Sequence, residues 1–256
     1  MDVRGLDNII SAISSKRMIS NCYSTALIDK ADCCWENDGS YLISYVDHGV
    51  NRLLFFVQEL VELERLIPLI DQGDYYLEYI TKNPDELQIH VDKSIGCTRL
   101  LRLSNSDCTQ ILSDPVLTQY FDDTIGETAT ESDTKAVNGL LWDTFYTEIA
   151  HLLYDEELEK LITDGKIIVH KSRDVIDAVL QFEMFPRKFY INQIINKSEK
   201  NVIHAMLLGQ LKKYINNGGK YIYAWVEETN KASLRFHAKY GMRHDGVYNL
   251  IYHVHT

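Results

Sequence analysis

Proline is scarce in this chain, at 4 residues in 256, and glycine numbers only 13. That excludes collagen-like repeats and chain-wide low complexity. Cysteine is limited to Cys22, Cys33, Cys34, Cys97 and Cys108, an odd set without C-x-x-C spacing. A disulfide scaffold is excluded, and the expectation is reduced, mostly buried thiols in a cytoplasmic protein. No apolar run approaches the ~18–20 residues that cross a bilayer. The opening Met1-Asp2-Val3-Arg4-Gly5 lacks the basic-then-apolar pattern of a signal peptide. No membrane partner is expected.

Positive charge is also in deficit. Lys and Arg number 26 against 37 Asp and Glu, a formal charge of −11. An acidic surface repels phosphate backbones, so nucleic acid is not an expected partner. Cationic ligands such as amines are drawn toward it at long range. What remains is an ordinary globular composition, with 45% apolar and 11% aromatic residues. The length suits two modest domains.

The seam between them is expected at 122–134, DDTIGETATESDT, a polar stretch without apolar periodicity that reads as a linker. The expected domains are 1–121 and 135–256. In the second, Trp142, Phe145, Tyr146, Ile149, Leu152 and Leu153 recur at helical spacing. A short helix follows from an N-cap at Asp155 and stops near Gly165. Three β-rich runs come next, over 166–170, 175–185 and 189–195, the last two separated by Pro186.

Ile203, Met206, Leu207, Leu211, Tyr214 and Ile215 form one apolar helix stripe, closed at Gly218-Gly219. A strand over 221–226 leads to Asn230, an N-cap for a helix through Tyr240 that Gly241 ends. Strands run from Met242 onward. The fold class is α/β, a mixed sheet flanked by helices.

The first half carries a faint copy of this order. Gly73–Tyr79 lies over Gly219–Trp225, Asn83–His90 over Asn230–His237, and the helical stretch with Leu60, Leu63, Leu66 and Ile70 over the 203–215 stripe. Pro68 shortens the first-half helix. Three matches in one order point to a tandem duplication with a degraded first copy.

The segment Gly218–Met242, GGKYIYAWVEETNKASLRFHAKYGM, resembles the late strand and following helix of the GNAT family of acyl-CoA-dependent N-acetyltransferases. Asn230, Ser233, Phe236 and Gly241 match the family's Asn-x-x-(Ser/Ala)-x-x-(Phe)-(Tyr)-x-x-x-Gly-(Phe) pattern, with Met242 in the last place. The resemblance covers 135–256 well and makes the first half a divergent, truncated relative. It implies tandem GNAT-like domains in which two parallel strands, 189–195 and 221–226, splay around the pantetheine arm of acetyl-CoA. The helix N-terminus after the first of them would hold the pyrophosphate. Acetyl-CoA is thereby the implied co-substrate, held by Ile191, Gln193, Lys200, Asn201, Val202, Ile203, Asn230 and Ser233. An amine on a small molecule or peptide would attack the thioester directly.

Two departures stand out. The family's pyrophosphate loop is glycine-rich, whereas Ser198–Ile203 contains no glycine, so the side chains of Asn201 and Ile203 are expected in the diphosphate's path. The family's Tyr acid is replaced by His237, whose imidazolium could donate the same proton. Glu183 is the first candidate for the base, with Glu227 and Glu228 behind it; strand alternation puts Glu183 and Gln181 on one face. The alternative to an enzyme is a GNAT-like binding or regulatory module without catalysis. The pair His253 and His255 lies on one side of a strand, but no third ligand stands at suitable sequence spacing, so no metal is expected.

Overall fold

The computed structural model describes residues 18–87 and 95–256. Its strands are β1 (Ile19–Ser20), β2 (Ala31–Asn37), β3 (Ser40–Asp47), β4 (Val50–Val57), β5 (Asp74–Thr81), β6 (Ile95–Asn105), β7 (Glu127–Thr128), β8 (Ile167–Ser172), β9 (Val175–Met184), β10 (Lys188–Asn196), β11 (Tyr221–Glu227) and β12 (Arg243–His255). The longer helices are α1 (Thr134–Thr144), α2 (Asp155–Thr163), α3 (Lys200–Asn216) and α4 (Lys231–Ala238). Contacts divide the chain into one unit of residues 1–100 with 247–256 and a second of residues 101–246.

In the first unit, β2, β3 and β4 form an antiparallel meander, and β5 then lies parallel to β4. The two hairpins turn through Asp38-Gly39 and His48-Gly49, all four residues with positive φ. That is the geometry of the two-residue turns that match strand twist, and Gly at the second position removes the Cβ penalty. β5 pairs on its other side with β12 over Tyr248–His255. The crossover between β4 and β5 is a broken helix: residues 60–69 alternate 3-10 and α turns, with Pro68 in the last turn. Its Leu63, Leu66 and Ile67 nevertheless close the core over Leu42, Leu53, Phe55, Leu77 and Leu250.

The second unit repeats these strand directions. β8, β9 and β10 are antiparallel, and β11 is parallel to β10. Here the crossover is α3, 17 residues long and buried along most of its length. It packs Val202, Met206, Leu207 and Leu211 against Ala178, Leu180, Phe189, Ile191 and Ala224. The opposite face, with Val179 and Ile195, is covered by α1 and α2 through Val137, Leu141, Leu158 and Ile162.

Three expectations need correction. The seam is not 122–134: the cuts fall inside β6 and β12, and 122–134 belongs to the second unit. Its polar residues hold turns rather than confer freedom. Asp122 accepts from the backbone and hydroxyl of Thr124, Thr130 and Asp133 form a capping box, β7 pairs with β8, and Asp133 meets Lys171 at 2.9 Å. The apolar stripe expected from Trp142 to Leu153 is broken, because Phe145 is extended and His151 has φ 47°. The buried stripe is Val137 and Leu141, one turn earlier, and Tyr146 stands 76% exposed. Only Cys108 among the five thiols is buried, although all five are unpaired.

The aligned stretches 73–79 and 219–225 both contain strand, in β5 and β11, but Asn83–Leu87 forms a turn where Asn230 opens α4. His90 lies outside the described residues. Among those residues, no helix is long and apolar enough to cross a membrane.

Candidate active site

The site begins where β10 and β11 part. Their parallel ladder runs from Lys188↔Tyr221 to Ile191↔Ala224 and stops there, although β10 continues to Asn196 and β11 to Glu227. A bulge between Ile191 and Gln193 re-aims β10 at the same point. Ile191 faces the α3 layer, buried to 1% exposure, so only its backbone is available to a ligand. Gln193 is buried too, and its amide donates to the Ala150 carbonyl at 3.2 Å.

Beyond the opening, the chain turns into α3. Asn196 organises the turn: its amide donates to the Glu199 carbonyl, and its Oδ1 accepts from the Ser198 N–H. Glu199 is the N-cap, and no side chain caps this helix. A helix start without a side-chain cap presents N–H groups and the positive end of the dipole. Lys197, Lys200 and Asn201 are exposed around it, whereas Val202 and Ile203 are buried in the core. The expected obstruction by Ile203 is therefore absent. Ile203 belongs to the first turn of α3 and points inward.

α4 is fixed by Asn230, whose Oδ1 accepts from the Ser233 N–H at 3.0 Å. That bond commits Asn230 to capping. His237 sits one turn further on at 4% exposure. Its Nδ1 lies 2.8 Å from the Ser233 carbonyl and 3.3 Å from the Ser233 hydroxyl. A carbonyl only accepts, so Nδ1 carries the proton and Nε2 is bare. Nε2 is buried without a hydrogen-bond partner among the described residues. Nε2 of His237 is therefore the free acceptor of the ring, and burial holds the imidazole pKa below its ordinary value.

Glu183 stands opposite Tyr190, and Tyr190 stands opposite Tyr223, giving a row across β9, β10 and β11. The two tyrosine rings stack at 4.8 Å, and Tyr221 continues the stack at 5.7 Å from Tyr223. Glu183 is half-buried and, among the described residues, has no hydrogen-bond or ion-pair partner. Burial first and Glu183 second push the Tyr223 hydroxyl pKa up. Glu227 instead accepts from the Thr229 hydroxyl, and Glu228 is exposed.

A second cluster was not anticipated. His204 of α3 is 3% exposed and stacks between Tyr120 at 4.6 Å and Phe236 at 4.9 Å. Its Nδ1 is 2.7 Å from the buried Tyr240 hydroxyl. Burial, then the Lys239 charge, lowers its pKa to about 4. The signal was present as His204 inside the apolar stripe, but its partners come from two distant segments, one at Tyr120 and one at Phe236–Tyr240. At the C-terminus, Asp74 Oδ1 receives both His253 and His255, at 2.9 and 2.8 Å. Among the described residues, no group of three His, Cys, Asp or Glu is placed to hold a metal ion.

This architecture is that of the GNAT acetyltransferases. A putative GNAT acetyltransferase from Novosphingobium aromaticivorans aligns over 90% of this chain and 93% of its own, with TM-score 0.52 and 12% identity. A GCN5-related N-acetyltransferase from Sphaerobacter thermophilus aligns over 84% and 76%, with TM-score 0.54 and 12% identity. A tandem GNAT protein of the clavulanic acid biosynthesis pathway aligns over 86% and 81%, with TM-score 0.52 and 9% identity. At such identities the likeness is one of fold. No family model matches the sequence, and no curated protein matches it.

Proposed function

We propose that the chain is an N-acetyltransferase using acetyl-CoA, with the second unit as its catalytic half and the first as a degenerate copy. The observation that carries the reading is the ladder that stops at Ile191↔Ala224, beside a bulge and ahead of a helix without a side-chain cap. Parted strands leave backbone groups able to bond an amide-bearing ligand, and the α3 N-terminus suits a diphosphate. The residues fit that ligand without the glycines, since Ile203 turns inward and Lys197 and Lys200 supply positive charge. Backbone at Ile191, Gln193, Lys200, Asn201 and Val202 would hold it, while Asn230 and Ser233 position α4. Five unpaired thiols suit a cytoplasmic setting.

Acetyl-CoA supplies a thioester carbonyl to an amine nucleophile. Backbone N–H groups near Gln193 polarise that carbonyl. Glu183 takes the proton that keeps the acceptor amine from attacking, directly or through water. His237 Nε2, bare and buried, would receive the proton released as the N–C bond forms, and would pass it to the CoA thiolate sulfur as the C–S bond breaks. This use of His237 as acceptor before donor follows from its Nδ1 bond to Ser233.

The second reading, a binding module without catalysis, is favoured by the neutral His237 where an acid is expected. Calorimetric titration with acetyl-CoA separates the two when followed by an assay for amine-dependent thiol release. Micromolar binding, about −8 kcal/mol, with turnover supports the enzyme. Binding without turnover supports the module. No heat and no thermal shift overturn the acetyltransferase and leave the binding module, for a ligand other than acetyl-CoA.

A further inference from the structure

The row of Glu183, Tyr190 and Tyr223 carries an inference about the acceptor. Successive positions across adjacent strands share a face with Cβ atoms about 5 Å apart, so these three side chains form one surface. Tyr190 and Tyr223 present nearly parallel rings, 14° between planes. Both are half-buried, as are Tyr221 and Trp225 further along the same face of β11. The carboxylate beside them is unanswered. Arg102, the cation that acts on Tyr223, is held by Asp245 at 2.8 Å. A half-buried carboxylate without a partner, next to stacked rings, favours a ligand that brings a cation and a flat apolar body. The row lies one residue before the ladder ends, about 3 Å along the strand.

We infer that the acceptor is a cationic amine on an aromatic body, its ring laid against Tyr190 and Tyr223 and its ammonium at Glu183. This deepens the acetyltransferase reading and rests on it for the chemistry, but the binding face exists independently of acetyl-CoA. Stacking selects the aromatic body. The carboxylate selects the charge, and an uncharged ring lacks the second contact.

The test is calorimetry on the full chain without acetyl-CoA, using 2-phenylethylamine, n-hexylamine and 2-phenylethanol as probes. The expected order is 2-phenylethylamine roughly tenfold tighter than n-hexylamine, with 2-phenylethanol weakest. Replacing Tyr190→Leu and Tyr223→Leu together should erase the preference for the aromatic amine, while the double Phe variant should keep it. Glu183→Gln should weaken both amines by roughly tenfold and leave their ratio unchanged. If the double Leu variant fails to fold, Tyr223→Leu alone carries the comparison. Equal affinity for the two amines, a preference that survives the Leu substitutions, or no amine binding overturns the inference. Because acetyl-CoA is absent, each of those results leaves the acetyltransferase reading to its own titration.

Discussion

The two units part a parallel strand pair at corresponding places and treat the opening differently. In the first, the β4–β5 ladder is Arg52↔Tyr76 and Leu53↔Leu77. Beyond it, Asn21 bridges the gap. Its amide donates to the Leu53 and Glu78 carbonyls at 2.9 and 2.8 Å, and its Oδ1 accepts from the Phe55 N–H at 2.8 Å. In the second, the position matching Phe55 is Gln193, and its side chain is directed away to Ala150. No side chain bridges β10 and β11 in that manner among the described residues. A carboxamide offers the donor and acceptor of a peptide group, so Asn21 satisfies the parted backbone of the first unit permanently. The same strand pattern therefore yields a closed slot in one unit and an open one in the other. Asn21 lies far in sequence from both strands it joins.

The sharpest way to break this comparison is at His237, which only the second unit has among the described residues. His237→Ala should lower kcat by about 10²–10⁴-fold while leaving the Kd for acetyl-CoA unchanged. An unchanged kcat would remove His237 from the chemistry. Next in size is the crossover. Leu207 in α3 is fully buried, and Leu207→Ala should cost about 2–5 kcal/mol in denaturant unfolding. Leu66, equally buried in the broken crossover of the first unit, should cost a similar amount if that unit folds cooperatively with its own core. A much smaller cost would mark the first unit as loosely held.

The pH dependence comes third. His204 falls from 6.5 to about 4 on folding. Between those values the unfolded chain binds the extra proton, so stability is full above about pH 6.5 and is lost as pH falls toward 4. The shift corresponds to about 3 kcal/mol, and His237 adds in the same direction. Urea midpoints at pH 7 and pH 5 check this, and a flat profile contradicts it. The smallest effect belongs to Asn21→Ala, which leaves the Phe55 N–H without its partner. It should cost about 1–3 kcal/mol and leave acetyl-CoA affinity unaltered, since that ligand is assigned to the other unit. Two acetyl-CoA molecules per variant chain, against one per native chain, would show Asn21 to be the plug itself.

Much of the second unit was legible in residue order. The runs at 166–170, 175–185 and 189–195 became β8, β9 and β10 within two residues, because short β-branched and apolar runs suit a sheet covered on both faces. The 203–215 stripe became α3, and Asn230 capped α4 as its side-chain chemistry favours. Gly241, with φ +68°, ends that helix in the left-handed geometry glycine tolerates. The first-unit hairpins turn at Asp38-Gly39 and His48-Gly49, where glycine in second place is itself a local turn signal. The 122–134 segment misled because polar residues fixed by caps and turns have the composition of a linker.

Local sequence determined which stretches become strands and helices, since side-chain periodicity and capping act over a few residues. Glycine content at the α3 entry likewise depended on sequence alone. Tertiary structure decided the rest. It turned Ile203 away from the loop, buried His237 with its Nδ1 on Ser233 and its Nε2 bare, and placed Glu183 beside two stacked tyrosines. It also put Asn21 into the first unit's opening. Each of these outcomes depends on desolvation or on partners from distant segments, and no short window of sequence contains either.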